Sequence, residues 1–284
     1  MAKISQVIKD PREMQIAVGQ LRAKGAVIGL VPTMGALHEG HLSLVRAAFK
    51  ECSAVVATIF VNPTQFAPSE DLKNYPRPLK SDLQKLESLN VDYVFVPSDE
   101  AMYPPGFSTY VIAPQVAKRL EGEKRPTHFQ GVTTVVAKLF NIVPAHYAYF
   151  GQKDFQQALV IRRMAEDLDF NIQIRVCPIV RDPDGLAMSS RNVYLSPDER
   201  IRALSLHKCL QVGRETIRNG ETNSGIVLSR MRKILNDGDI TDIDYVVAVD
   251  PETLVPVDVV GGNVVLLVAA RVGKTRLIDN LLLE

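Results

Sequence analysis

The chain has 284 residues, 46% of them hydrophobic and 23% charged, a balance that suits a globular protein with one large domain or two smaller ones. Its formal charge of +1 supplies no global attraction for nucleic acid or an acidic membrane surface, so any anion site must be local. The cysteines, Cys52, Cys177 and Cys209, lie far apart without Cys-x-x-Cys spacing, which argues against a disulfide framework or a zinc knuckle, and no segment offers the roughly 20 uninterrupted apolar residues of a membrane helix. A cytoplasmic protein is the expectation.

Residues 25–31 form a short β-rich run closed by Pro32, and Leu42, Leu44, Val45, Ala48 and Phe49 then recur with helical spacing. Further strand-like runs at 54–61, 92–96, 147–150 and 172–180 alternate with helical patterns at 80–89, 132–143 and 154–168. In the last helix Leu159, Ile161, Met164, Ala165 and Leu168 share one broad face. This order predicts an α/β domain with a parallel sheet wrapped by helices, because parallel strands need crossover connections. After the turn cluster Asp182-Pro183-Asp184-Gly185 the pattern changes to two helices, 197–218 and 224–235, and three strands, 244–249, 264–270 and 275–281. That succession predicts a smaller α+β domain, with the division at 1–183 and 184–284.

Five clusters carry chemistry. The first, Pro32-Thr33-Met34-Gly35-Ala36-Leu37-His38-Glu39-Gly40-His41, occupies the turn from the first of these strands to its helix, where open α/β sheets bind nucleotides. Gly40 lets a flat base or ribose approach the backbone, and a helix N-terminus offers N–H groups to phosphate. A metal site or a purely structural histidine pair are the alternatives; the His38/His41 spacing differs from the His-Glu-x-x-His of zinc proteases. The second, Phe150-Gly151-Gln152-Lys153-Asp154-Phe155-Gln156-Gln157, repeats the strand, glycine, helix logic and puts Lys153 at the carboxyl edge of the sheet. There Asp154 is a phosphate-site neighbour or an N-cap, and Gln157 is one turn further into the cleft.

The third cluster, Met188-Ser189-Ser190-Arg191-Asn192, sets small hydroxyls beside an arginine, a compact donor set for phosphate at the domain junction. The fourth, Phe60-Val61-Asn62-Pro63-Thr64-Gln65-Phe66, brings amides to a strand exit, where they can read an uncharged polar substrate; the following segment, 67–78, is either a lid or an ordinary surface loop. The fifth, Arg125-Pro126-Thr127-His128-Phe129-Gln130-Gly131, places donors just before a helix. Gly273-Lys274-Thr275 imitates the end of a P-loop, but Val268 stands where that motif requires glycine, so it reads as a hairpin turn.

In order and approximate spacing, these five clusters make the chain resemble, over nearly its whole length, the pantoate–β-alanine ligase family of the nucleotidylyltransferase superfamily. The resemblance implies a Rossmann-like N-terminal domain, a smaller C-terminal domain, a homodimer, ATP as substrate with Mg2+, and (R)-pantoate and β-alanine as the joined molecules. It implies that the pantoate carboxylate is first adenylated and that the β-alanine amine then displaces AMP. By motif position, Met34, Gly35, Ala36, Leu37, His38, Glu39, Gly40 and His41 would line the ATP site, with both histidines on the phosphates and His41 as the family's proton donor. Gly151, Gln152, Lys153, Asp154, Val180 and Met188 would approach the nucleotide, with Lys153, Ser189, Ser190 and Arg191 on its phosphates. Gln65 and Gln157 would bind pantoate, Asn62, Arg125 and His128 would be further substrate contacts, and Asp82 a magnesium neighbour. Gln152 departs from the family's usual Glu, which removes one charge and leaves Lys153 and Asp154 in place.

Two competing readings share part of this pattern. Another nucleotidylyltransferase, acting on a phosphate-bearing substrate, would need basic groups where Gln65 and Gln157 stand. A non-catalytic nucleotide-binding module would not need both histidines together with Lys153.

Overall fold

The computed structural model describes residues 5–68 and 70–283. The chain forms two compact units. The first runs to Gly151 and includes Gln156–Pro178; the second joins Gln152–Phe155 to the chain from Ile179 onward.

In the first unit the chain runs β1 (Gln6–Ile8), α1 (Pro11–Ala23), β2 (Ile28–Thr33), α2 (Glu39–Ala48), β3 (Ala54–Ile59), α3 (Leu79–Ser88) and β4 (Tyr93–Phe95). The short α4 (Asp99–Met102) and α5 (Glu121–Lys124) follow, then α6 (His128–Ile142), β5 (Tyr147–Gly151), α7 (Phe155–Asp167) and β6 (Gln173–Cys177). The strands make one six-stranded parallel sheet in the order β1-β4-β3-β2-β5-β6. Both faces are covered, so all six residues of β3 are buried: Ala54 and Val56 meet Met14 and Val18 of α1 and the apolar side of α6, while Val55, Ala57 and Ile59 meet Leu44 and Val45 of α2 and Leu86 of α3. The order of strands reverses between β2 and β5, and the carboxyl ends at such a switch point are where α/β sheets bind ligands.

Most predicted elements match the structure to within a few residues, and the short α4 and α5 were not anticipated. The strand expected at 25–31 is β2, which starts at Ile28 and runs through Pro32 to Thr33; proline is accommodated because pairing with β5 is confined to Gly29 and Leu30. The elements β1 and α1 were not anticipated, although α1 has a plain start signal in Asp10, whose carboxylate accepts from Glu13 N at 2.8 Å, followed by Pro11.

The second unit packs α8 (Pro197–Arg218) and α9 (Ser224–Asp237) on an antiparallel sheet of β7 (Ile243–Val249), β8 (Val264–Val272) and β9 (Thr275–Leu283). Ser196 and Glu199 form a capping box that starts α8, and Leu206, Leu210, Met231, Leu266 and Val268 centre the core. Strands β8 and β9 turn through Gly273-Lys274, closed by the Val272–Thr275 pair, as a hairpin reading requires. Among the described residues no helix is long and apolar enough to cross a membrane.

Candidate active site

The turn after β2 is held in an uncommon conformation. Gly35 and Ala36 have φ of 83° and 49°, the left-handed region that glycine tolerates and alanine resists. Asp82 of α3 fixes it from beneath: Oδ2 accepts from Ala36 N and Oδ1 from Leu37 N, each at 2.8 Å, and Lys85 Nζ donates to Leu37 O at 2.6 Å. The Asp82 side chain is fully buried and both its oxygens serve the backbone. Among the described residues no group of three or more His, Cys, Asp or Glu side chains is disposed to hold a metal ion, so the donor set does not fit a protein-built magnesium cage.

His38 caps α2. Its Nδ1 accepts from Gly40 N at 3.2 Å, and the Nδ1 of His41 accepts from His38 N at 3.4 Å, with the two rings 4.1 Å apart. A ring nitrogen that accepts carries no proton, so both neutral imidazoles have their N–H at Nε2. The Gly40 amide is engaged by His38 Nδ1, and the His41 and Leu42 amides by His38 O.

After β3, Gln65 is 8% exposed and stands at the centre of a polar chain. Its Nε2 donates to Met34 Sδ at 3.1 Å, which links this loop to the turn after β2, and its Oε1 accepts from Asn62 Nδ2 at 3.1 Å. Asn62 also donates to Gly131 O and accepts from Tyr103 Oη at 2.7 Å and from Thr64 Oγ1 at 2.9 Å. Gly131 is obligatory here, since a Cβ would lie 2.4 Å from Thr64 O and 2.6 Å from Gln65 N. His128 is buried with Nδ1 2.9 Å from Gln65 O, which can only accept; Nδ1 therefore holds the proton and Nε2 accepts from Arg125 at 3.2 Å. Burial, reinforced by the Arg125 charge, lowers its pKa to about 4 and keeps it neutral.

Arg125 is paired with Glu70, its terminal nitrogen 2.8 Å from Oε2. Burial opposes ionisation of Glu70, but the hydrogen bonds and charge of Arg125 outweigh it and hold the carboxyl below its ordinary range. Asn62, Arg125 and His128 thus support the Gln65 loop. Gln157 is half-buried at the start of α7, whereas its neighbour Gln156 is buried and committed to Glu121 N, Val116 O and Arg119 O.

The remaining expected residues divide at Gly151, the last residue of β5. Lys153 is half-buried and Asp154 exposed in the turn Gln152–Asp154, and this turn belongs to the second unit. Asn280 of β9 donates to Gln152 O at 2.9 Å and Lys153 O at 3.0 Å, and its Oδ1 accepts from Gln152 Nε2 at 3.2 Å. Val180 O accepts from Met188 N at 3.0 Å, closing the small loop that leads into Ser189, Ser190 and Arg191, all half-buried. Ser189 Oγ accepts from Arg191 N at 3.2 Å and caps the turn Ser190–Tyr194. Asp82, Glu70, Tyr103 and Asn280 were missed as supports. For Asn280 a signal existed: Asp279-Asn280 interrupts the apolar run from Leu277 to Leu283.

A family model described as pantoate-beta-alanine ligase matches residues 6–282. The chain belongs to the pantoate–β-alanine ligase family. Among relatives of this ligase, the pantothenate synthetase of Thermotoga petrophila is 54% identical over 278 residues, covering 98% of this chain and 99% of the relative. The crystal structure of the pantothenate synthetase from Thermus thermophilus superposes with a TM-score of 0.93 at 44% identity, over 97% of this chain and 98% of that one. The pantoate-beta-alanine ligase of Francisella tularensis, crystallised with a β,γ-form of ATP and β-alanine, gives 0.79 at 34% identity, over 98% and 97%.

Proposed function

We propose that this ligase joins (R)-pantoate to β-alanine in two steps at the expense of ATP, giving pantothenate, AMP and pyrophosphate. A pantoate carboxylate oxygen attacks the α-phosphorus and pyrophosphate leaves. The β-alanine nitrogen then attacks the carbonyl carbon of pantoyl adenylate, forming the amide and releasing AMP. Neither step needs a protein nucleophile, so the side chains act through position and charge.

The observation that carries this reading is the histidine pair: each Nδ1 accepts a main-chain N–H at the start of α2, which puts the proton of each ring at Nε2, and the two rings lie 4.1 Å apart. Donors of fixed tautomer suit the negative charge that grows on departing pyrophosphate, and charge stabilisation is the task assigned here to His38 and His41. Lys153, Ser189, Ser190 and Arg191 hold phosphates; Met34–Gly40, Gly151, Gln152, Asp154, Val180 and Met188 form the nucleotide surroundings. Magnesium enters with the nucleotide phosphates.

Gln65 and Gln157 bind pantoate. The Gln65 surroundings are neutral, because Arg125 is paired with Glu70 and His128 is uncharged, and this favours a hydroxy acid over a phosphate-bearing second substrate. A homodimer in the cytoplasm, with its thiols reduced, completes the proposal; Cys52, Cys177 and Cys209 are all free.

The test is isotope exchange between ATP and labelled pyrophosphate. Exchange should require pantoate and proceed without β-alanine, and His41→Ala and Lys153→Ala should each lower it by about a hundredfold while leaving the melting temperature nearly unchanged. Absence of pantoate-dependent exchange would sink the assignment.

A further inference from the structure

Two polar residues stand side by side between the apolar residues Leu277-Ile278 and Leu281–Leu283 of β9, and both are buried: Asp279 is 3% exposed and Asn280 2%. Consecutive residues of a strand face opposite ways, so the two can serve different segments. The Asn280 side chain uses both its donors and accepts once. Both Nδ2 protons go to main-chain oxygens, those of Gln152 and Lys153, and Oδ1 accepts from the Gln152 side chain. Asp279 accepts from both terminal nitrogens of Arg181, at 2.7 and 2.9 Å, and Arg181 in turn donates to Gly185 O. Arg181 lies in the loop closed by Val180 and Met188, which leads straight into Ser189–Arg191. One dipeptide of β9 therefore fastens two phosphate-handling segments that are distant in sequence.

We propose that Asn280 is a positioning residue for adenylation: it fixes the main chain at Lys153 and, with the adjacent Asp279, makes Lys153 and Ser189–Arg191 one preset phosphate clamp. This rests on the assignment of Lys153 to the ATP phosphates. A buried carboxamide between apolar residues is costly to desolvate and is kept only where its bonds matter, and here every bond lands on the two residues that form and precede the lysine. A lysine side chain is flexible, so the direction of its charge is set by the main chain that carries it.

The inference is tested by a double-mutant cycle on the two half-reactions. Asn280→Ala should lower pantoate-dependent ATP–pyrophosphate exchange by about tenfold, and leave β-alanine attack on synthetic pantoyl adenylate within about twofold of wild type. In a Lys153→Ala background Asn280→Ala should lower exchange no further, because the charge it aims is gone. Asn280→Ser, which keeps one donor, should restore part of the rate and takes the place of Asn280→Ala in the cycle if that variant does not fold. Equal loss in both half-reactions, or effects that multiply in the double variant, would overturn the positioning role. Full exchange activity in Lys153→Ala would instead refute the functional reading of Lys153 on which the inference rests.

Discussion

Replacing Asp82 by Asn separates two tasks that a buried carboxylate near a nucleotide site can have. The side chain is 0% exposed and its two oxygens accept, each at 2.8 Å, from the amides of Ala36 and Leu37. Asn keeps the shape and one acceptor, but turns an NH2 group toward the other amide. One charge-assisted bond, worth about 1.5–3 kcal/mol, is lost, and a buried N–H is left facing a donor at a further cost of about 1–3 kcal/mol. Relaxation of the turn recovers part of this, so the net loss should be about 3 kcal/mol, a large share of the stability of an ordinary domain. Urea denaturation would show a lower midpoint with an unchanged slope. Because Asp82 holds the turn rather than a cation, the magnesium concentration for half-maximal exchange should stay within about twofold of wild type. An unchanged midpoint together with a rise of more than about tenfold in that concentration would refute the reasoning and restore the metal role.

Gly131→Ala should destabilise the protein by about 1–3 kcal/mol and raise the KM for pantoate, since the added methyl meets main-chain atoms at Thr64 and Gln65 that cannot turn aside; a normal KM measured on folded variant would count against Gln65 as a pantoate ligand. His128, ordinarily near 6.5 and lowered to about 4 in the fold, makes stability depend on pH in a fixed direction. The unfolded chain binds a proton that the folded one refuses, so this contribution is complete above about pH 6.5 and is lost as pH falls toward 4, for a total of about 3 kcal/mol. In His128→Asn that part of the pH dependence of the urea midpoint should vanish; an identical slope in the variant would show that His128 is not its source.

The sheet was legible because β3 and its neighbours are short apolar runs between amphipathic helices, a pattern with few alternative folds. Local signals also sufficed for the span of α8 and for the Gly273-Lys274 hairpin. The edge strand β1 escaped because three residues are too few for periodicity to register. At the site, residue type did not reveal which side chains would be held by hydrogen bonds from distant parts of the chain. Nothing local in the sequence reveals that Asn62, His128 and Asp82 will be hydrogen-bonded to Gly131, Tyr103, Gln65 and the turn at Ala36. These partners lie tens of residues away, and only folding brings them together. The tautomer of His38 and His41 was equally hidden, being fixed by which nitrogen caps the helix.

Transfer of oxygen tests the two-step reaction most directly. With both carboxylate oxygens of pantoate labelled as 18O, attack on the α-phosphorus leaves one labelled atom bridging carbon and phosphorus, and amide formation expels it with the nucleotide. One 18O atom per AMP, with none in pyrophosphate, is the predicted result. Label in a β- or γ-derived phosphate, or pantothenate formed with unlabelled AMP, would contradict adenylation of pantoate and the roles built on it.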